Sequence, residues 1–159
     1  MAGGFSHPVI KGVRAVNTKI LTGGIAGVAL LLAYASPALT QEVKLKVEPL
    51  SGANEVPPVQ SQAKGTAEVT YDPAGKKVNW TVNYSGLSGP ATAAHFHGPA
   101  ERGKNAGVAV PIHNQGTSPV KGSATLTDAQ AADLQAGRYY INIHTAANPG
   151  GEIRGQVTK

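Results

Sequence analysis

The sequence beyond residue 38 predicts an all-β fold of short antiparallel strands with one short helix. Apolar and polar residues alternate along several segments, and strands with one buried face show this period of two. Glycine and proline recur between these segments, for example over residues 86–90 and 98–107, where they mark turns. Short strands at such spacing are typical of a β-sandwich or a small barrel.

The first 38 residues are typical of a secretory signal peptide. Three basic residues and no acidic one precede an apolar, glycine-interrupted stretch over residues 20–35. Ser36-Pro37-Ala38 then places small residues where a signal peptidase would cleave. We expect cleavage after Ala38, with Ala35 as the second choice. The alternative is a leader retained as a membrane anchor, although its apolar stretch is shorter than the roughly 20 residues of a membrane span.

Residues 39–159 have the length of one domain. They carry eleven of the 14 basic residues and all nine acidic ones, which leaves a net charge of +2. This small charge, without clusters of basic and aromatic residues, argues against a nucleic-acid partner. The chain contains no cysteine, which excludes disulfides, thiolate metal ligands, a lipid-anchored cysteine and a cysteine nucleophile.

The predicted strands are identified in chain order by their apolar phases. Those phases are Val43, Leu45 and Val47; Ala67, Val69 and Tyr71; Val78, Trp80, Val82 and Tyr84; Ala94 and Phe96; Val108, Val110 and Ile112; and Tyr139, Ile141 and Ile143. The helix begins at Thr127, whose capping-box partner would be Gln130, and Gly137 provides a left-handed stop. It has about two turns and connects two strands.

All four histidines of the predicted domain fall on the phase opposite to the core. His95 and His97 flank Phe96, so in a strand their side chains share one face. His113 and His144 lie on non-core phases of later strands. Two neutral imidazoles held side by side are a natural pair of metal ligands. The alternative is that these histidines are solvated or bond neighbouring strands and loops.

Three motifs, in order along the chain, resemble the CHRD domain, a module named from chordin and widespread in bacterial exported proteins. They are Leu50–Val59 (LSGANEVPPV), Ala93–Pro99 (AAHFHGP), and the pair Tyr139–Thr145 (YYINIHT) and Gly150–Gln156 (GGEIRGQ). The resemblance extends from about Val43 to Val157. It implies that residues 39–159 form an antiparallel, immunoglobulin-like Greek-key sandwich, distantly similar to Cu/Zn superoxide dismutase.

The dismutase similarity implies roles for individual residues. His95 and His97 resemble its paired copper ligands, and His144 is similar in context to a later ligand. Arg154 loosely resembles an anion-guiding arginine; the alternative is an ion pair with Glu55 or Glu152 that ties the first loop to the last strand. The cysteine pair and the zinc loop of that family have no counterpart here, which favours copper binding over dismutation.

We therefore expect an exported binding module, periplasmic or secreted, that binds copper through His95, His97 and His144, with His113 as a further candidate ligand. Zinc is the second choice, since three histidines and a water also form a zinc site. The alternatives are a metal-independent module that binds an unknown protein or envelope component, and dismutase-like redox activity. The sequence offers no catalytic constellation, and membrane contact would require an uncleaved leader.

Overall fold

Nine strands and one α-helix make up residues 41–159, which are the residues that this computed structural model describes. The strands are β1 (Val43–Val47), β2 (Leu50–Ser51), β3 (Lys64–Asp72), β4 (Lys77–Ser85), β5 (Ala91–His97), β6 (Val108–Ile112), β7 (Val120–Thr125), β8 (Tyr139–Thr145) and β9 (Ile153–Thr158). The helix, α1, spans Asp128–Gln135. The predicted signal peptide and its cleavage site lie outside the described residues.

The strands form one antiparallel sheet in the order β6-β5-β8-β9-β1-β3-β4-β7, and the short β2 pairs with β3 and β9. This order is not the chain order, because the connections after β4, β6 and β7 cross to distant strands. The first three predicted strands lie within 43–85 and correspond to β1, β3 and β4, so the structure confirms all of them.

The sheet folds over itself, so that its two halves enclose the core. Trp80 of β4 meets Phe96 of β5 edge to face with their ring centroids 5.3 Å apart, although four strands lie between β4 and β5 in hydrogen-bond order. Gly122 of β7 leaves room for this indole, because a Cβ there would lie 2.6 Å from its Cζ2 atom. Trp80 and Phe96, two of the predicted core aromatics, are both buried. The predicted all-β sandwich with one short helix is confirmed.

The helix begins as its capping box predicts. Thr127 Oγ1 accepts a hydrogen bond from the Gln130 amide at 3.2 Å, and Gln130 Oε1 accepts from the Thr127 amide at 2.9 Å. Gly137 follows the helix with a φ of +75°, a left-handed conformation that suits glycine. Leu134 is fully buried and anchors the helix in the core. Within residues 41–159, no helix has both the length and the apolar character to cross a membrane.

The outer face of β5, β8 and β9 is covered by three connections instead of solvent. They are the β2–β3 loop (residues 52–63), the β5–β6 loop (residues 98–107) and the β8–β9 turn (residues 146–152). Side chains on the non-core phase of β8 are therefore buried: Tyr140, Asn142 and His144. The alternation predicted this phase correctly, and the loops that fold back over the strands bury it.

Candidate metal site

Three histidines converge on this outer face. His95 and His97 lie in β5, and His144 lies in the adjacent β8, where its Cα is paired with Ala93. One ring nitrogen from each histidine lies within 4.8 Å of the others. The closest pair is His95 Nδ1 and His144 Nε2, which are 3.2 Å apart. The strand pairing alone therefore brings three of the four predicted ligands together.

Backbone carbonyls define the tautomers of two of these rings. His97 Nδ1 donates to the Ala106 carbonyl at 3.0 Å, and His144 Nδ1 donates to the Pro149 carbonyl at 2.9 Å. A carbonyl only accepts, so Nδ1 carries the proton and Nε2 of each neutral ring is left with a lone pair. In His144 this Nε2 accepts a hydrogen bond from His95 Nδ1 at 3.2 Å. His97 Nε2 is buried without a hydrogen-bond partner among the described residues. This nitrogen is thus available to a metal.

The surroundings keep two of the histidines neutral. Burial lowers the pKa of His95, and the neighbouring His144 and His97 lower it further. Burial is also the main cause of the lowered pKa of His97, to which His144 and Arg154 contribute, against the hydrogen bond from its ring to Ala106. Only a neutral imidazole offers a lone pair, so the lowered pKa values favour metal ligation.

The spacing of the nitrogens fits a single metal ion with small adjustments. Imidazole nitrogens bind zinc at about 2.0–2.1 Å, so two nitrogens on one ion lie at most about 4.2 Å apart. The 3.2 Å between His95 Nδ1 and His144 Nε2 is within this limit. The whole set lies within 4.8 Å, so any pair of nitrogens beyond the limit would have to move closer by a few tenths of an ångström to share one ion. Three nitrogens without sulfur suit Cu(II) or Zn(II).

His113, the fourth predicted ligand, does not join this cluster. It follows the end of β6, is exposed, and lines an opening between β6 and β7 together with Trp80 and Lys121. The alternation of apolar and polar residues placed His113 on the non-core face. However, β6 is an edge strand of the sheet and ends at Ile112, before His113. Its side chain contributes to a different surface.

An aromatic and a cationic side chain extend the site toward β9. Tyr140 of β8 stacks on His97 with ring centroids 5.0 Å apart and planes 6° from parallel. The Arg154 guanidinium of β9 lies 3.4 Å from the centroid of the same tyrosine ring. β8 lies between β5 and β9, so the tyrosine separates the histidine from the arginine. The sequence had placed Tyr140 on the same phase as His144, yet its contact with the site was missed.

The predicted ion pair of Arg154 is wrong. Among the described residues, no carboxylate oxygen lies within 4.0 Å of its guanidinium. It donates instead to the Lys104 carbonyl at 2.7 Å and to Asn105 Oδ1 at 3.1 Å, both in the β5–β6 loop. The arginine ties the last strand to this loop and not to the carboxylates.

Glu55 and Glu152 occupy separate environments on the same face. Asn142 Nδ2 donates to both carboxylate oxygens of Glu55, at 2.9 and 3.0 Å. Burial raises the pKa of Glu55 to about 7, although the charge of Arg154 and the hydrogen bond from Asn142 both act to lower it. Gly151, whose φ is +129°, lies against this pair, and a Cβ there would overlap the Asn142 amide.

Glu152 holds three segments together beneath the β8–β9 turn. Its carboxylate accepts hydrogen bonds from Ser61 Oγ at 2.7 Å, from Thr145 Oγ1 at 2.7 Å, and from both the amide and the hydroxyl of Ser88. Burial by itself would raise the pKa of Glu152, but the hydrogen bonds from Ser88, Ser61 and Thr145 outweigh it and lower the pKa to about 2. The turn that carries the Pro149 carbonyl is therefore firmly anchored.

Comparison with known proteins agrees with the motifs found in the sequence. The family model of the CHRD domain matches residues 47–157. Chordin from Xenopus laevis is 31% identical over 118 residues, which are 69% of this chain and 12% of chordin. The chain thus spans about an eighth of the length of this relative. No solved structure matches the chain, and the distant similarity to superoxide dismutase stays a prediction. By the family match and the identity to chordin, this chain belongs to the CHRD domain family.

Proposed function

We propose that this protein is an exported binding module that binds copper through His95, His97 and His144. The observation that carries the proposal is the buried Nε2 of His97, which has no hydrogen-bond partner within residues 41–159 and lies beside two further imidazoles. His97 and His144 would bind through Nε2, since their Nδ1 atoms donate to carbonyls. His95 would bind through Nδ1, which donates to His144 Nε2 when no metal is bound, so its ring proton would have to move to Nε2 on binding.

Copper is the preferred ion because of the ligand set. Imidazole nitrogens favour Cu(II), which is also the strongest binder in the divalent series. The chain has no cysteine, so no thiolate is present that would favour a softer ion. Zinc is the second choice, because three histidines with a water would complete a tetrahedral site. The carbonyls of Ala106 and Pro149 would orient two of the ligands, as hydrogen-bond acceptors around metal sites commonly do.

Calorimetric titration of the purified protein with Cu(II) and with Zn(II) tests the proposal. We expect a dissociation constant below about 10 μM for copper, equivalent to roughly −7 kcal/mol. His97→Ala should weaken binding strongly, because it removes the ligand whose Nε2 is buried without a hydrogen-bond partner among residues 41–159. His113→Ala is the matched control and should leave the affinity unchanged, since His113 lies outside the cluster. Affinities weaker than this limit for both metals would rule out the metal site.

A second candidate function is metal-independent binding of a protein or envelope component, favoured by the similarity to chordin. The secretory leader predicted at the N-terminus supports an extracytoplasmic location, in the periplasm or outside the cell. This candidate predicts binding of labelled protein to isolated envelopes that EDTA and His97→Ala leave unchanged. Detection of the protein only in the cytoplasmic fraction would contradict both candidates.

A further inference from the structure

We propose that Arg154 is a positioning residue of the histidine site: it fastens the β5–β6 loop so that the Ala106 carbonyl fixes the tautomer of His97. The inference rests on the proposed metal site, because it concerns which nitrogen of His97 is free for a metal. Arg154 itself touches neither His95 nor His144 in any contact described above. It would act through the loop and through Tyr140.

Arg154 has an unusual environment for a buried cation. Its side chain is only 2% exposed, and no carboxylate among residues 41–159 pairs with it. Burying a charge without a pairing partner costs free energy that its hydrogen bonds must offset. Those bonds go to consecutive residues of one loop, the Lys104 carbonyl and the Asn105 side chain. The charge is thus used to fix that loop against β9.

The residue that accepts the hydrogen bond from the His97 ring directly follows the two loop residues that Arg154 holds. Ala106, the next residue, accepts the hydrogen bond from His97 Nδ1 at 3.0 Å. Its amide donates to the Tyr140 hydroxyl at 3.2 Å. The ring of Tyr140 lies between Arg154 and His97, in contact with both. Two routes, the loop backbone and the stacked ring, therefore lead from the arginine to the histidine.

The consequence concerns the position of one proton. A neutral imidazole carries its proton on either nitrogen, and the hydrogen bond at one nitrogen decides which. With the Ala106 carbonyl in place, the proton of His97 stays on Nδ1 and the buried Nε2 keeps its lone pair. If the loop shifts, the Nε2–H tautomer becomes populated and must lose that proton before a metal binds. Arg154 would thereby prepare the site before the metal arrives.

Nitrogen-15 NMR of the metal-free protein measures this tautomer directly. In Arg154→Met we expect the Nδ1–H share of His97 to fall, while His144 stays unchanged because its acceptor, Pro149, belongs to the β8–β9 turn. The copper dissociation constant should rise about 10-fold, the lower range for loss of an outer hydrogen-bond partner. Arg138→Met removes a guanidinium that pairs with Asp133 outside the site, and should change neither readout.

Two further variants separate the bonds of Arg154 from its charge. Arg154→Lys keeps the charge but cannot hold both acceptors, so we expect an intermediate effect; behaviour identical to the native protein would overturn the proposal. Asn105→Ala removes one acceptor at an exposed position and should shift His97 in the same direction, even if Arg154→Met does not fold. An unchanged tautomer of His97 in all folded variants would also overturn it. If the native protein binds no metal, the proposed function fails, whereas the NMR data still decide the role of Arg154.

Discussion

Glu55→Gln should stabilise the metal-free protein at neutral and alkaline pH. Glu55 is 6% exposed, and burial raises the pKa of its carboxyl to about 7 from the 4.5 of an unperturbed group. Ionising this side chain in the folded protein is therefore harder than in the unfolded chain. Glutamine has a similar shape, is neutral at every pH, and can still accept a hydrogen bond from Asn142 Nδ2.

The sign and size of the effect follow from the raised pKa. A group whose pKa is higher in the folded state contributes stability below its unfolded pKa of 4.5. That contribution is lost progressively as the pH rises through about 7. The difference between the two pKa values corresponds to about 3 kcal/mol. Relative to the native protein, the variant should gain up to this amount between pH 4.5 and about 8 and gain no more beyond it.

Urea unfolding of both proteins from pH 4 to pH 9, with a chelator present, measures the difference curve. Other groups titrate in both proteins, so the difference isolates Glu55. Glu101→Gln, at an exposed position in the β5–β6 loop, controls for the loss of one negative charge. A variant that is equally stable or less stable at pH 8 would show that Glu55 is ionised without cost, and would refute the reasoning.

Three further predictions concern other parts of the chain. Glu152→Gln should lower the free energy of unfolding by up to about 3 kcal/mol at pH 7, and this loss should disappear as the pH falls through the folded pKa of about 2, in the same urea assay extended down to about pH 2. Gly122→Ala should destabilise the fold by about 1–3 kcal/mol, because its Cβ would press on Trp80; thermal unfolding measures it. Copper at 100 times its dissociation constant should add about 2.7 kcal/mol of stability, raise Tm, and lose this effect with EDTA.

The sequence was sufficient for features that depend on local periodicity. Alternation placed Phe96 in the core and His95 and His97 on the other face, and β5 has that arrangement. The capping box located the start of α1 at Thr127. These predictions need only the geometry of one strand or one helix turn, which neighbouring residues determine.

The environment of the site could not be predicted, because it depends on loops that return from distant parts of the chain. Asn142 meets Glu55 across 87 residues of sequence, and Arg154 meets Lys104 across 50. The alternation of apolar and polar residues along a strand contains no information on where such loops fold. The sequence therefore predicted the faces of the histidines correctly but not their burial, and it paired Arg154 with carboxylates that it does not contact.

The pattern of unsatisfied atoms on the outer face favours a ligand over a purely structural network. His97 Nε2, Asn142 Oδ1 and Gln156 Oε1 are buried without hydrogen-bond partners among residues 41–159. Burying such an atom without a hydrogen-bond partner lowers the stability of the fold by about 1–3 kcal/mol. Nearby, Glu152 shows that this face can satisfy a buried polar group completely, with donors from Ser61, Ser88 and Thr145.

A network that served only the fold would gain by supplying His97 Nε2 with a donor in the same way. A metal ion would satisfy this lone pair and use the tautomer that Ala106 already imposes. Bound copper should therefore protect the β5–β6 loop, which carries Ala106, from amide hydrogen exchange more than it protects the β4–β7 pair on the far side of the sheet. Equal protection throughout would indicate that the ion acts on global stability alone and does not engage His97.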